Sequence, residues 1–284
     1  KRRITMKKFI KAILCAALVT TFSLSVAGCG NGNTILVPND GSNCTRALFL
    51  LQENGYITLK EGVKPTDNLS ELDIADSKGY TIKLVEAGQI PAQLKNGDDD
   101  TLAVINGNYA LGANIKIEKA IATESANGEA ASLYANIVAV KSGNENSAKT
   151  RALLAALKTQ TVYDYINDTF GGAVKPSFNP AADEIPAPDS ADTTITVAAS
   201  PTPHAEILEK VKSSLEAKGW TVVIREFDDY VLPNNAVQDG SADANYFQHK
   251  PYLDTFNAAN NTTIVSVGAI HYEPFGLYNK DAVK

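Results

Sequence analysis

The stretch TILVPNDGSNCTRALFLLQ (34–52) decides the fold. Its first five residues are an apolar, β-branched run closed by turn formers, the pattern of a buried strand. Asn39, Asp40, Gly41, Ser42 and Asn43 then make a turn rich in helix N-cap residues. A helix is predicted over 46–52, stopped at Asn54 and Gly55. The same strand–turn–helix unit recurs outward from it. Strands are predicted at 80–85 and 102–105, with a helix over 89–94. A second series places strands at 136–140, 194–199, 221–226 and 264–267, and helices over 147–157, 161–168 and 204–218. Alternation of this kind predicts an α/β fold layered around a mainly parallel sheet, and two series predict two lobes. The Ala/Gly-rich stretch 109–132 joins them, and NPAADEIPAPDSAD (179–192), which lacks apolar periodicity, reads as a solvated linker.

At 284 residues the chain is one large or two ordinary domains, and 44% hydrophobic content places it among globular proteins. Charge is unevenly spread. Residues 1–28 hold six basic side chains and no acid, while the remainder carries 20 basic and 32 acidic residues, a net charge of −12. Such a body repels phosphate backbones, so nucleic-acid binding is not expected. The basic start, with Met6 as the expected initiator, runs into an apolar core at 12–26 and small residues, the pattern of a signal peptide over 1–28. Its exit, Val26-Ala27-Gly28-Cys29, resembles a bacterial lipobox, which implies lipidation of Cys29, export, and anchoring on the extracytoplasmic face of the cell membrane. Beyond Cys15 and Cys29 only Cys44 remains, so no internal disulfide is available to the mature chain. His204, His249 and His271 lack the spacing of a zinc site, and no metal or cofactor is expected.

The densest polar-aromatic stretch is DANYFQHKPYLD (243–254), with VSVGAIHYEPFG (265–276) downstream and VAASPTPHAEIL (197–208) upstream. With VPNDGSNCTRALFLL (37–51) and AVINGNYAL (103–111), these stretches resemble the MetQ/NlpA-type methionine-binding lipoproteins that serve ABC importers. The resemblance implies a two-lobed, periplasmic-binding-protein-like (type II) α/β fold with a ligand cleft between lobes. It further implies a methionine binder, not an enzyme, that passes its ligand to a membrane permease, and the charge and cysteine counts point to a monomer. The order of the stretches departs from that family. There VAASPTPHAEIL follows the leader and VPND follows HYEPFG, so this chain resembles a circular permutant. On that reading 29–33 is a lipidated cysteine and tether, 34–108 one lobe, 109–135 the connection, and 136–178 and 194–284 the other lobe, with 179–193 as linker. Only about 108–136 would then join the lobes.

A zwitterionic amino acid offers a carboxylate, an ammonium and a side chain. Arg46 is the candidate for bidentate pairing with the carboxylate. Asn106 and Asn136, at the end and start of predicted strands, are placed at the ligand by the resemblance. So are Tyr230, Phe247, His249 and Tyr252, with Tyr246 a weaker addition, which together would line a slot for the thioether. Three other readings are open: a binder of another small amino acid, a permuted surface lipoprotein with no working cleft, and an exported hydrolase. The last would draw on Ser200, His204 and one of Asp228, Asp229 or Asp243, but no Gly-x-Ser-x-Gly elbow is present.

Overall fold

The structure is a computed structural model that describes residues 33–125 and 129–284. The expected leader, Cys29 and most of the tether lie outside the described residues. In chain order the elements are β1 (Thr34–Pro38), α1 (Gly41–Glu53), β2 (Thr58–Leu59), β3 (Ile74–Asp76), β4 (Thr81–Val85), α2 (Ile90–Asn96), β5 (Leu102–Ile105), α3 (Gly107–Gly112) and β6 (Ala122–Thr123). Next come α4 (Glu129–Leu133), β7 (Asn136–Lys141), α5 (Ala148–Leu157), α6 (Gln160–Thr169) and β8 (Lys175–Pro176). The chain finishes with β9 (Thr194–Ala199), α7 (Glu206–Glu216), β10 (Thr221–Glu226), α8 (Leu232–Asp239), β11 (Ala244–His249), α9 (Lys250–Asn260), β12 (Ile264–Tyr272) and β13 (Gly276–Asn279). Helix α1 begins five residues before its predicted start because Asp40 caps it, its carboxylate accepting the Asn43 N–H at 3.0 Å.

Among the described residues the strands build two main sheets, ordered β4-β1-β5-β13-β6 and β10-β9-β11-β7-β12-β8. The two-lobed α/β expectation holds. The mainly parallel one does not. Strand β1 runs parallel to β4 and β5, and β9 parallel to β10 and β11. Strand β13 is antiparallel to β5 and β6, and β7 is antiparallel to β11 and β12. The reason is connectivity. Strand β13 enters its sheet where β5 leaves it, Gly276 lying opposite Ile105, so it must run back along its neighbour. Parallel pairing would need a crossover within one sheet. Each sheet carries its own apolar core: Ile35, Val37, Leu48 and Leu51 on the first, and Val138, Leu153, Val197 and Leu208 on the second.

Pairing of β13 with β5 corrects the expected boundaries. The end of 194–284 belongs to the first sheet, not the second, and the chain passes between sheets twice, once between β6 and β7 and again at 272–276. A four-residue strand after Pro274 is too short for hydrophobic periodicity to announce it. Strand β11 likewise lacks a strand-like pattern, because ANYFQH mixes polar and aromatic residues. Its six residues are all buried, and its amides are satisfied laterally. Asn234 of α8 accepts from Asn245 (2.8 Å) and Gln248 (2.7 Å) and donates to Gln248 at 2.9 Å. The linker 179–193 is also less solvated than its composition suggests. Pro186 O accepts the Trp220 indole N–H at 2.8 Å, and Ile185 packs on the second core.

Gly276 opens β13 under the edge of the Tyr278 ring, which is buried and cannot yield. A Cβ at this position overlaps that ring. Gly276→Ala is therefore expected to lower stability by about 1–3 kcal/mol through overpacking, read as a lower midpoint in chemical denaturation. An unchanged midpoint would place β13 elsewhere.

Candidate functional site

Between the sheets lies a narrow, partly open cleft with about 330 Å³ of space unoccupied by atoms, the solvent at its mouth included. The carboxyl ends of β5 and β11, the start of β7, helix α1 and the 272–276 crossing converge on it. Arg46, Asn106, Asn136, Tyr230, Phe247, His249 and Tyr252, all named from the sequence, line it. Tyr246 does not. It stands on the opposite face of β11 from Phe247, fully buried in the second core, with its hydroxyl on His271 Nδ1. Asn43, Asn108, Gln248, Glu273 and Phe275 also line the cavity. They sit inside the stretches that carried the resemblance, but polar residues next to turns gave no separate signal.

Arg46 is 3% exposed and already paired. Its Nε and Nη2 donate side-on to Glu124 Oε1 and Oε2 at 2.7 and 2.6 Å, and Nη2 also donates to Glu273 O at 2.6 Å. The Phe275 ring lies 3.9 Å from the guanidinium carbon. Burial works against the charge, but the Glu124 carboxylate outweighs it and holds the guanidinium ionised. The expected bidentate pairing with a ligand is thus corrected. The fork is occupied by Glu124, because a buried guanidinium needs a counter-ion within the fold, and Nη1 stands outside these bonds.

His249 is kept neutral chiefly by burial, with the Arg46 charge adding to it. Its Nδ1 accepts the Tyr252 N–H at 3.2 Å, so Nε2 carries the proton and donates to Asn43 Oδ1 at 3.0 Å. That bond spans the cleft, as does Tyr230 OH to Asn108 Oδ1 at 2.6 Å. Tyr230, Phe247 and Tyr252 form an aromatic wall, with ring centroids 5.7–6.1 Å apart. Opposite in character is Asn106 Oδ1, a buried acceptor with no partner. The arrangement offers an apolar slot at one end and converging donors and acceptors at the other.

Behind Asn136 lies a buried set that the sequence did not join. His204 Nε2 meets Asn136 Oδ1 at 3.0 Å, and His271 Nε2 meets Glu273 Oε1 at 2.6 Å. His204, His271 and Glu273 each bring one ligand-type atom within 4.8 Å of the others, although their sequence spacing suggests no such grouping. The atoms are used as hydrogen-bond partners. The hydrolase reading finds no support in this geometry: His204 Nε2 is taken by Asn136, Nδ1 has no partner, and Asp243 is bound to Lys149 and the Thr196 N–H. Among the described residues no helix is long and apolar enough to cross a membrane.

The sequence profile of the family described as NlpA lipoprotein matches residues 23–178 and 195–284. Among curated proteins, the methionine-binding lipoprotein MetQ of Bacillus subtilis (strain 168) is 45% identical over 93 residues, 32% of this chain and 34% of that protein. The D-methionine-binding lipoprotein MetQ of Salmonella typhi is 35% identical over 150 residues, 51% of this chain and 52% of that protein. This chain thus spans between a third and a half of the length of these relatives. Among solved structures, a nutrient binding protein from Burkholderia cenocepacia bound to methionine aligns at TM-score 0.47 and 38% identity, over 54% of this chain and 62% of that one.

The buried titrating groups set opposing pH dependences. Burial pushes Glu273 up to about 7, and burial pushes His204 and His271 down to about 3. The raised carboxyl favours the folded state fully below pH 4.5 and loses that contribution as pH rises to about 7. The depressed imidazoles favour it above 6.5 and lose that contribution as pH falls toward 3. His249 acts in the same direction as they do. Imidazoles outnumber the carboxyl, so the thermal midpoint is expected to level off at about pH 7 and to fall steadily on acidification to 4.5. Calorimetry across pH 4.5–8 checks this, and a midpoint that climbs toward acid would contradict it.

Proposed function

The chain belongs to the NlpA lipoprotein family, and from that premise we propose that it is the substrate-binding lipoprotein of an ABC importer, capturing L-methionine in the inter-sheet cleft and delivering it to the membrane permease. The observation that carries the reading is the chemistry of one cavity. Tyr230, Phe247 and Tyr252 offer a slot for an unbranched thioether, and Asn106, Asn136 and Arg46 gather at the polar end. Sulfur against aromatic rings contributes about 0.3–1.5 kcal/mol per contact. Arg46 would take a ligand carboxylate end-on through Nη1. Asn106 Oδ1, buried and unpartnered, suits an ammonium. The names of the similar MetQ proteins support methionine over other small amino acids.

The same reading includes a signal peptide over 1–28, lipidation at Cys29, membrane attachment through that lipid, and a monomer that binds without catalysis. It also includes the permuted order. Two features support permutation: the family match is interrupted at the 179–193 linker, and alignments to the relatives stop near half their length, as they must when the order of the halves differs. With both crossings present, permutation need not loosen the lobes, because the junction falls beyond β13.

Thermal unfolding of the full chain, refolded from denaturant to remove bound ligand, tests the reading. Methionine at about 100 times its Kd stabilises by about 2.7 kcal/mol, a rise of about 5–10 °C. Leucine and glutamate should give no comparable rise, and Phe247→Ala should reduce the methionine effect. A cooperative transition that methionine does not move would remove the binding function.

A further inference from the structure

Asn136 opens β7, with its backbone held between two strands: its register partners are His249 on β11 and His271 on β12. The one freedom left to it is rotation of its side-chain amide, which decides whether an acceptor or a donor faces the cleft. His204 meets that choice from behind. It is 1% exposed and comes from the turn before α7, outside the cavity lining. Two acceptors face its Nε2, Asn136 Oδ1 at 3.0 Å and Glu273 Oε1 at 3.5 Å, whereas the Thr202 carbonyl beside the ring makes no well-formed hydrogen bond with Nδ1. A neutral imidazole between two such oxygens carries its hydrogen on Nε2, and burial keeps this ring neutral across the physiological range. Asn136 Oδ1 is therefore turned back toward His204, which leaves Nδ2 as the side of the amide presented to the cavity.

We propose that His204 is a positioning residue that locks the Asn136 amide with its donors toward the cleft, so that Asn136 recognises the carboxylate of the ligand and turns away its ammonium. The inference rests on the reading of the cleft as an amino-acid site, which it deepens by giving the ligand a direction. The carboxylate lies toward Asn136 and Arg46, and the ammonium toward the orphan Asn106 Oδ1. A wrongly turned Asn136 would oppose an oxygen to a carboxylate in a dry site, and unpaired buried polar groups discriminate strongly.

Titration calorimetry on the full chain tests it with two ligands, L-methionine and L-methioninamide, which keeps the ammonium and thioether but lacks the carboxylate. His204→Leu removes the donor, and is expected to weaken methionine by about 10- to 100-fold while leaving methioninamide within about twofold of its own wild-type value. His204→Gln can restore a donor at the same reach and should stay within about threefold of wild type for methionine. In His204→Leu/Asn136→Ala the loss should not exceed that of Asn136→Ala alone. Equal losses for the two ligands in His204→Leu would mean that His204 merely supports the fold, and would overturn the proposal. So would an unchanged methionine affinity. Should His204→Leu fail to unfold cooperatively, nitrogen NMR of the unliganded wild type still decides, since a His204 ring protonated on Nδ1 instead of Nε2 overturns it. Absence of methionine binding by the wild type would be a different result, removing the functional reading and this inference with it.

Discussion

The Arg46–Glu124 pair ties α1 to the two segments by which the chain passes between its sheets. Both side chains are buried, and the pair stands where the chain passes between sheets. Glu124 lies on the first crossing, and its Oε2 also accepts from Tyr272 OH and the Phe275 N–H on the second, at 2.9 and 2.8 Å. Arg46 returns a bond to Glu273 O. One helix of the first lobe is thereby tied to both connections. A buried pair contributes little net stability against an apolar replacement, but losing one partner strands a charge and costs about 3–5 kcal/mol. Its value here is geometric. It joins α1 to both crossings beside the cleft.

Around that anchor, polar side chains are arranged in closed sets. Asp40 caps α1 and also accepts from the Asn43 amide, which then accepts from His249 across the cleft. Asn234, Asn245 and Gln248 satisfy one another behind β11. Tyr246, His271 and Glu273 run from the second core toward the hinge. The buried side-chain atoms left without partners are Asn106 Oδ1, facing the cavity, and His204 Nδ1 behind it, among the described residues. A buried orphan acceptor facing the cavity marks where an external donor belongs.

The linker 179–193 shows how composition misleads when single anchors matter. Proline, alanine and acid predict a solvated tether, yet Ile185 packs on the second core and Pro186 receives the Trp220 indole. Lys149 bridges Asp192 at the end of the linker to Asp243 at the start of β11, at 2.7 and 2.8 Å. The segment lies along the second lobe and delivers the chain directly into β9. Two anchors spaced along a run without periodicity leave no pattern for a sequence to display.

By itself the sequence determined what depends on local order: the strand–turn–helix units, the two series of them, and the types of residue gathered in 243–254 and 265–276. Strands 102–105, 194–199 and 221–226 match their predicted limits because apolar β-branched runs bounded by turns need no distant partner to be recognised. Seven of the eight residues named for the site line the cavity, Arg46 named for its charge at a helix start and the others through the family resemblance rather than through any local pattern. Tyr246 was misplaced because its side of the strand depends on register, which only pairing with β7 and β9 sets. Only the tertiary structure could decide that β13 returns to the first sheet, that Glu124 and not a ligand fills the fork of Arg46, and that His204, His271 and Glu273 meet behind Asn136. Each joins residues separated by tens to hundreds of positions, and contacts at that range follow from how the sheets pack, which no local pattern encodes.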